Sequence, residues 1–243
     1  MRLSKLALGL GLAAVAVTAA NAAKVTVDLR HEYRTEYGQN FDRICFITAF
    51  DNGIGAYVDS SVKSGHILEQ PTDPSYKEGQ WGDFAANAVE MSLWWGFKFG
   101  NFTVTPGIIT ETSTDTFYKP YLRLQYNTDF GLWFAVRPRY DYLRNSGGSD
   151  PDWKRARVDA WLGYNKDNWG VNYNFTWMKA LNDNENGAKQ VLFDNKDTNY
   201  EHNVAFNYRI GQWNPYAEIG DIGVNSATDK RQMRFRVGVQ YTF

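Results

Sequence analysis

Residues Arg231 to Phe243 (RQMRFRVGVQYTF) sharply limit the folds open to this chain. Every second residue, Met233, Phe235, Val237, Val239, Tyr241 and Phe243, is apolar or aromatic. The intervening set, Gln232, Arg234, Arg236, Gly238, Gln240 and Thr242, is polar, cationic or tiny. Period-two alternation of this length is a strand with two unlike faces. It is long for a globular strand and suits a tilted strand crossing a bilayer. The stretch reads as the closing strand of an outer-membrane barrel, with lipid on one side and a cationic lumen on the other. Terminal Phe243 reads as a recognition tag for the barrel assembly machinery.

The amino terminus agrees with export. Arg2 and Lys5 precede an apolar run from Leu6 to Ala20, and Ala20-Asn21-Ala22 is an A-x-A cleavage signal. Residues 1–22 are therefore predicted to be a signal peptide and 23–243 the outer-membrane β-barrel. After Ala22 no segment resembles a transmembrane helix, so a membrane protein here must be a barrel. Mean hydropathy of −0.51 is the average expected when half of every strand faces water. The formal charge of −1 becomes about −3 once Arg2 and Lys5 are removed, which gives no general attraction for nucleic acid. The single cysteine, Cys45, excludes an intramolecular disulfide and a cysteine-based metal cluster, and is expected to be packed and inert.

About 12 alternating segments follow. They are predicted at Lys24–Arg34, Phe41–Phe50, Gly55–Lys63, Asn87–Phe99, Phe102–Glu111, Tyr118–Asn127, Gly131–Tyr142, Trp153–Tyr164, Trp169–Met178, Tyr200–Ile210, Trp213–Asp221 and the closing stretch. In the second, Ile44, Phe46 and Phe50 compete with Ile47 for the lipid side. Tight turns near Asp51, Gly100, Asn127, Asn165 and Gly211 alternate with longer polar loops, as periplasmic turns and extracellular loops do. The fold class is thus an all-β, transmembrane antiparallel β-barrel in the outer membrane of a Gram-negative bacterium, surrounded by lipid and lipopolysaccharide. Aromatic residues, 16% of the chain, cluster at strand ends as interfacial girdles. Pro106, Pro120 and Pro215 are placed near strand ends. Pro138 looks central and is expected to mark a bulge.

Sorting residues by face changes the electrostatics. The basic residues assigned inward are Arg30, Arg34, Arg43, Lys63, Lys98, Lys119, Arg123, Arg137, Arg139, Arg155, Arg157, Arg209, Arg234 and Arg236. The acidic ones are Asp28, Glu32, Asp59, Glu90, Glu111, Asp141, Asp159, Glu201 and Glu218, which leaves a lumen excess of roughly +5. In a ring of about 12 strands, Arg123, Arg137, Arg139, Arg155 and Arg157 face Arg30, Arg234 and Arg236, as two cationic tracks on opposite walls. Guanidinium groups pair with carboxylates in a planar, two-pronged geometry, and a series of moderate sites passes a polyanion without trapping it. Inward Trp133, Trp161, Tyr121 and Tyr216 offer flat faces to sugar rings. Some arginines are expected to neutralise Asp28, Glu32, Asp141 and Asp159.

The chain resembles the KdgM family of oligogalacturonate-specific porins over nearly its whole predicted mature length. The resemblance is carried by Leu29-Arg30-His31-Glu32-Tyr33, Asn40-Phe41-Asp42-Arg43, Tyr118-Lys119-Pro120-Tyr121-Leu122, Arg157-Val158-Asp159-Ala160-Trp161, Asn214-Pro215-Tyr216 and Arg234-Phe235-Arg236-Val237-Gly238. It implies a monomeric barrel of about 12 strands, without cofactor, that passes acidic oligosaccharides released from pectin; relatives carrying sialic acid share the architecture.

Two rival readings are a barrel hydrolase and a plugged structural barrel. A hydrolase needs a nucleophile beside a base, and His31, His66 and His202 are the only histidines. None has a serine two residues on, as a barrel phospholipase would. A plugged lumen is expected near eight strands rather than 12. A calcium loop at Asn182–Gly187 lacks its first aspartate, and Phe193 stands where the closing glutamate belongs, so no metal site is expected.

Overall fold

The structure, a computed structural model, describes residues 23–36, 38–64, 85–113, 115–144, 153–181 and 190–243. The predicted signal peptide, the Gly65–Phe84 and Asn145–Ser149 loops, His66 and the 182–187 stretch lie outside them.

Twelve antiparallel strands close into a single barrel. They are β1 (Ala23–Arg34), β2 (Gln39–Phe50), β3 (Ile54–Ser64), β4 (Ala85–Trp95, continued by Phe97–Phe99), β5 (Phe102–Thr112), β6 (Thr116–Asn127), β7 (Leu132–Arg144), β8 (Trp153–Lys166), β9 (Trp169–Ala180), β10 (Thr198–Tyr208), β11 (Trp213–Gly223) and β12 (Arg231–Thr242). Each strand pairs with its sequence neighbours, and β12 pairs with β1 from Thr242↔Thr26 to Arg234↔Arg34. Closure leaves no edge, so every strand finds ladder partners on both sides.

The alternation read from the closing strand holds on both faces. Met233, Phe235 and Val237 are exposed on the outside, while Gln232 and Arg234 are buried on the inside. The same outer belt contains Leu29, Leu93, Leu122, Phe134, Leu162 and Val204. Where the short turns lie, Trp95 and Phe97, Phe102 and Tyr126, and Trp213 and Tyr241 form contacting ring pairs with centroids 4.6–4.8 Å apart.

Four cross-strand pairs inside the barrel set a glycine against an aromatic ring: Gly55↔Trp94, Gly107↔Tyr121, Gly163↔Trp133 and Gly238↔Tyr216. A β-carbon on any of these glycines would lie 2.1–2.4 Å from an atom of that ring. The ring fills the space over the glycine and lies flat on the wall. Such pairs fix register, because a slip of one residue puts a side chain under the ring.

Some expectations are resolved and others corrected. The fourth strand breaks at Gly96, whose N–H bonds to Gly53 O at 2.8 Å and ties the β2–β3 turn to the wall. Ile44, Phe46 and Phe50 share the outer face, and Ile47 turns inward opposite Thr26 and Tyr57. Cys45 is buried on the inner face between Asp28 and Asp59. Pro138 causes no bulge: β7 keeps one register with β6 from Tyr118↔Tyr142 to Asn127↔Trp133 and simply drops pairs around Pro120 and Pro138. Pro106 and Pro120 lie well inside their strands, with Pro138 and Pro215 also exposed on the outer face. Among the described residues, a register shift in the strand ladders lies between Ser61 and Val62 of β3. The alternation of short and long connections is also incomplete, since the β1–β2 and β5–β6 connections are short at the end that carries the longer loops. Within the Lys179–Asn199 loop, Asp194 and Asn195 adopt positive φ in a tight turn. Their N–H groups bond to Thr228 O and Ser226 O, which clips this loop to the one before β12.

Candidate functional site

The inner faces of β6 to β8 carry Lys119, Arg123, Arg137, Arg139, Arg155 and Arg157 against two carboxylates, Asp141 and Asp159. Residues two apart share a face, so Arg139 and Asp141 adjoin on β7, and Arg157 and Asp159 on β8. The β7–β8 register then sets Arg137 opposite Asp159, Arg139 opposite Arg157 and Asp141 opposite Arg155. Each aspartate accepts from two guanidinium groups. Asp141 takes Arg139 Nε at 2.6 Å and Arg155 Nη2 at 2.5 Å. Asp159 takes Arg137 Nη2 at 3.0 Å, Arg157 Nε at 2.8 Å and the Thr176 hydroxyl at 2.8 Å. Both carboxylates are fully enclosed. Like charges directly opposed across strands repel, and the bridging aspartates hold Arg139 and Arg157 in place. One anion per two cations still leaves this wall positive.

Arg123 stands apart. Among the described residues it has no carboxylate within ion-pair distance. It donates to Gln125 Oε1 at 2.8 Å and lies 4.9 Å from the Trp161 ring centroid, with Arg137 5.3 Å from the same ring. Lys119 is buried between Glu111 at 2.6 Å and Glu90 at 3.3 Å, and the Tyr57 hydroxyl donates to Glu90.

The wall formed by β10 to β12 and β1 to β3 differs from expectation. The register puts Arg236 opposite both Glu32 and Glu218, and its guanidinium bonds them at 2.6 and 2.7 Å. Arg234 lies 3.6 Å from Glu201 and 3.7 Å from Glu218, and donates to Asn203 Oδ1 at 2.5 Å. Arg34 bonds Glu32 at 2.7 Å, and Arg43 joins Asp28 at 2.5 Å to Asp59 at 3.2 Å. Of these cations Arg30 alone has no carboxylate within ion-pair distance among the described residues, and its Nε is enclosed without an acceptor. The second cationic track is therefore close to charge-balanced. Its carboxylates were already visible in the sequence; the register that pairs them with Arg234 and Arg236 was not.

Lys98 and Arg209 lie elsewhere. Lys98 is exposed at the short-turn end, and Arg209 falls beyond β10, where its N–H bonds to Asn168 O at 2.6 Å. His31 Nδ1 lies 2.8 Å from Asp42 on the outer face, and His202 Nδ1 lies 2.6 Å from the Tyr173 hydroxyl, also outside. Alternation places Asn203 and Gln125 inward without giving them a role, and Thr176 goes unmarked; all three are neutral groups that complete the charged network.

A closed twelve-strand barrel, apolar outside and dense with charge inside, is the fold of an outer-membrane porin. The chain belongs to the oligogalacturonate-specific porin (KdgM) family, whose profile matches residues 17–243. This is a family of channels and not of enzymes. An uncharacterized protein, YiiY, of Salmonella typhimurium is 34% identical, covering 92% of each chain. The oligogalacturonate-specific porin KdgM of Dickeya dadantii is 30% identical over 96% of this chain and 98% of its own. The N-acetylneuraminic acid outer membrane channel protein NanC of Escherichia coli (strain K12) is 24% identical over 89% of each. The NanC porin structure superposes with a TM-score of 0.71 at 19% identity, covering 89% of this chain and all of that one.

Proposed function

We propose that this chain is a passive, anion-selective channel of the outer membrane for acidic oligosaccharides, oligogalacturonates from pectin foremost. The observation that carries the reading is the cation excess on the β6–β8 wall, where shared aspartates leave guanidinium capacity open. The name of the relative at 30% identity supports oligogalacturonate as the substrate, and the more distant sialic-acid channel supports a second acidic sugar as the alternative.

On this reading Arg137, Arg139, Arg155 and Arg157 form the main path, with Arg123 and Arg30 as sites free of carboxylate. Arg234, Arg236 and Lys119 are tempered by glutamates, and Lys98 and Arg209 lie at the periplasmic mouth. A guanidinium already sharing an aspartate still offers N–H donors to a passing carboxylate, but binds it less tightly than a free one. A series of such weakened sites favours transit over capture. The barrel acts as a monomer, its apolar belt is solvated by lipid and lipopolysaccharide, and the strand ending in Phe243 engages the assembly machinery.

Liposome swelling with galacturonate oligomers, sialate and neutral oligosaccharides tests the substrate class. Faster entry of acidic than of neutral sugars of equal size is expected, and equal entry would remove the reading. In planar bilayers, Arg137→Glu with Arg139→Glu should weaken anion preference more than Lys189→Glu.

A further inference from the structure

An interior cavity of about 190 Å³ opens where the inner faces of β1 to β5 meet β12. The register shift in β3 shapes it. Ser61 pairs with Ala88 and Val62 with Ala86, so Asn87 is left without a strand partner. A bulge of this kind re-aims a side chain. Here the Asn87 amide donates to Ser61 Oγ at 2.9 Å, and both residues line the cavity.

The cavity holds two complementary groups. Arg30 brings a guanidinium with an enclosed, unpartnered Nε and no carboxylate within ion-pair distance among the described residues. Glu90 and Glu111 bring carboxylates that register sets side by side and Lys119 Nζ clamps at Oε2 of each. The Tyr57 hydroxyl occupies Glu90 Oε1, and among the described residues no donor reaches Glu111 Oε1. The Glu90 and Glu111 side chains remain 27% and 30% exposed.

A ligand that satisfies both groups must carry a carboxylate for Arg30 and hydroxyl donors for the glutamates. A simple inorganic anion meets only the first and is repelled by the second; a neutral sugar meets only the second. The volume is below the about 300–1,000 Å³ of drug-sized sites, which suits one pyranose ring. We propose that this cavity is a docking subsite for a single sugar-acid unit in transit. Its carboxylate lies at Arg30 and its hydroxyls donate to Glu111, with Ser61 and Asn87 as further polar partners. The subsite rests on the acidic-sugar reading above and deepens it: discrimination comes from the carboxylates as much as from the arginines.

Single-channel recording with monomeric galacturonate or sialate in potassium chloride tests it. The wild-type channel should show brief current interruptions with the sugar acids and none with a neutral hexose. Glu111→Gln should shorten them about tenfold, the loss of one hydrogen bond to a charged acceptor, although it makes the lumen more positive. Asn87→Ala, which changes no charge, should shorten them several-fold, and it carries the test if Glu111→Gln fails to refold on a heat-modifiability gel. Unchanged or longer interruptions in the folded variants would overturn the subsite while leaving the channel reading intact. Absence of interruptions by either sugar acid in the wild type would overturn both.

Discussion

Arg123→Gln separates charge selectivity from barrel stability. Arg123 bonds Gln125 and stacks on Trp161, and no aspartate or glutamate is left stranded when its charge is removed. For an ion passing about 7 Å from the guanidinium in water, the Coulomb energy is about 0.6 kcal/mol, close to RT. Anion and cation feel it with opposite sign, so deleting the charge changes their permeability ratio by roughly exp(2), about sevenfold, without screening. With a Debye length of about 10 Å at 0.1 M salt the exponent is roughly halved, and the expected fall in anion preference is about threefold; at 0.01 M it is about fivefold. Reversal potentials across a planar bilayer with a potassium chloride gradient measure this ratio. The same shift from Lys98→Gln, exposed at the short-turn end, would refute the reasoning, as would a shift independent of salt.

Three further outcomes follow from the geometry. Gly163→Val puts side-chain carbon where the Trp133 ring already lies, since a β-carbon there would be 2.1 Å from a ring atom, so the variant should be less stable to urea by about 1–3 kcal/mol and be partly restored by Trp133→Ala. Asp159→Asn strips Arg137 and Arg157 of their shared carboxylate and should destabilise the folded barrel by about 3–5 kcal/mol, read as a lower temperature of the heat-modifiability transition. Cys45 is 4% exposed, so a bulky maleimide should label it only after unfolding, and labelling of the folded barrel would contradict its inward, packed position.

The barrel was legible because alternation is a local property. Val89, Met91, Leu93 and Trp95 announce the outer face of β4 with no knowledge of its neighbours, and all are exposed there. Facing became ambiguous only where both parities are apolar, as from Ile44 to Ile47, and pairing with β1 and β3 resolves it. The individual arginines were legible by the same parity rule. Their partners were not, because an ion pair across strands depends on register, and register depends on turn length and on contacts such as Gly238 under Tyr216. The positions of Lys98 and Arg209 slipped for a simpler reason: alternation runs through the break at Gly96 before Lys98 and past Tyr208, the last strand residue before Arg209, and does not mark where the wall ends.

Register also explains why the two walls differ in charge. On β7 and β8 the acid–base pairs Arg139/Asp141 and Arg157/Asp159 run along each strand, and the cross-strand register adds a second arginine to each aspartate. On β11, β12 and β1 the glutamates flank Arg236 from both sides, and Arg34 and Arg234 share them, so cations and anions alternate. The first arrangement leaves guanidinium in excess and the second comes close to balance, from strands with similar numbers of arginines. A field therefore points across the lumen rather than only along it. On the proposed reading, an acidic sugar chain would travel with its carboxylates turned to β6–β8 and its hydroxyls turned to the opposite wall. A shift of one strand by two residues would preserve every facing and still abolish that orientation, which makes the glycine–aromatic pairs part of the channel's selectivity as well as of its stability.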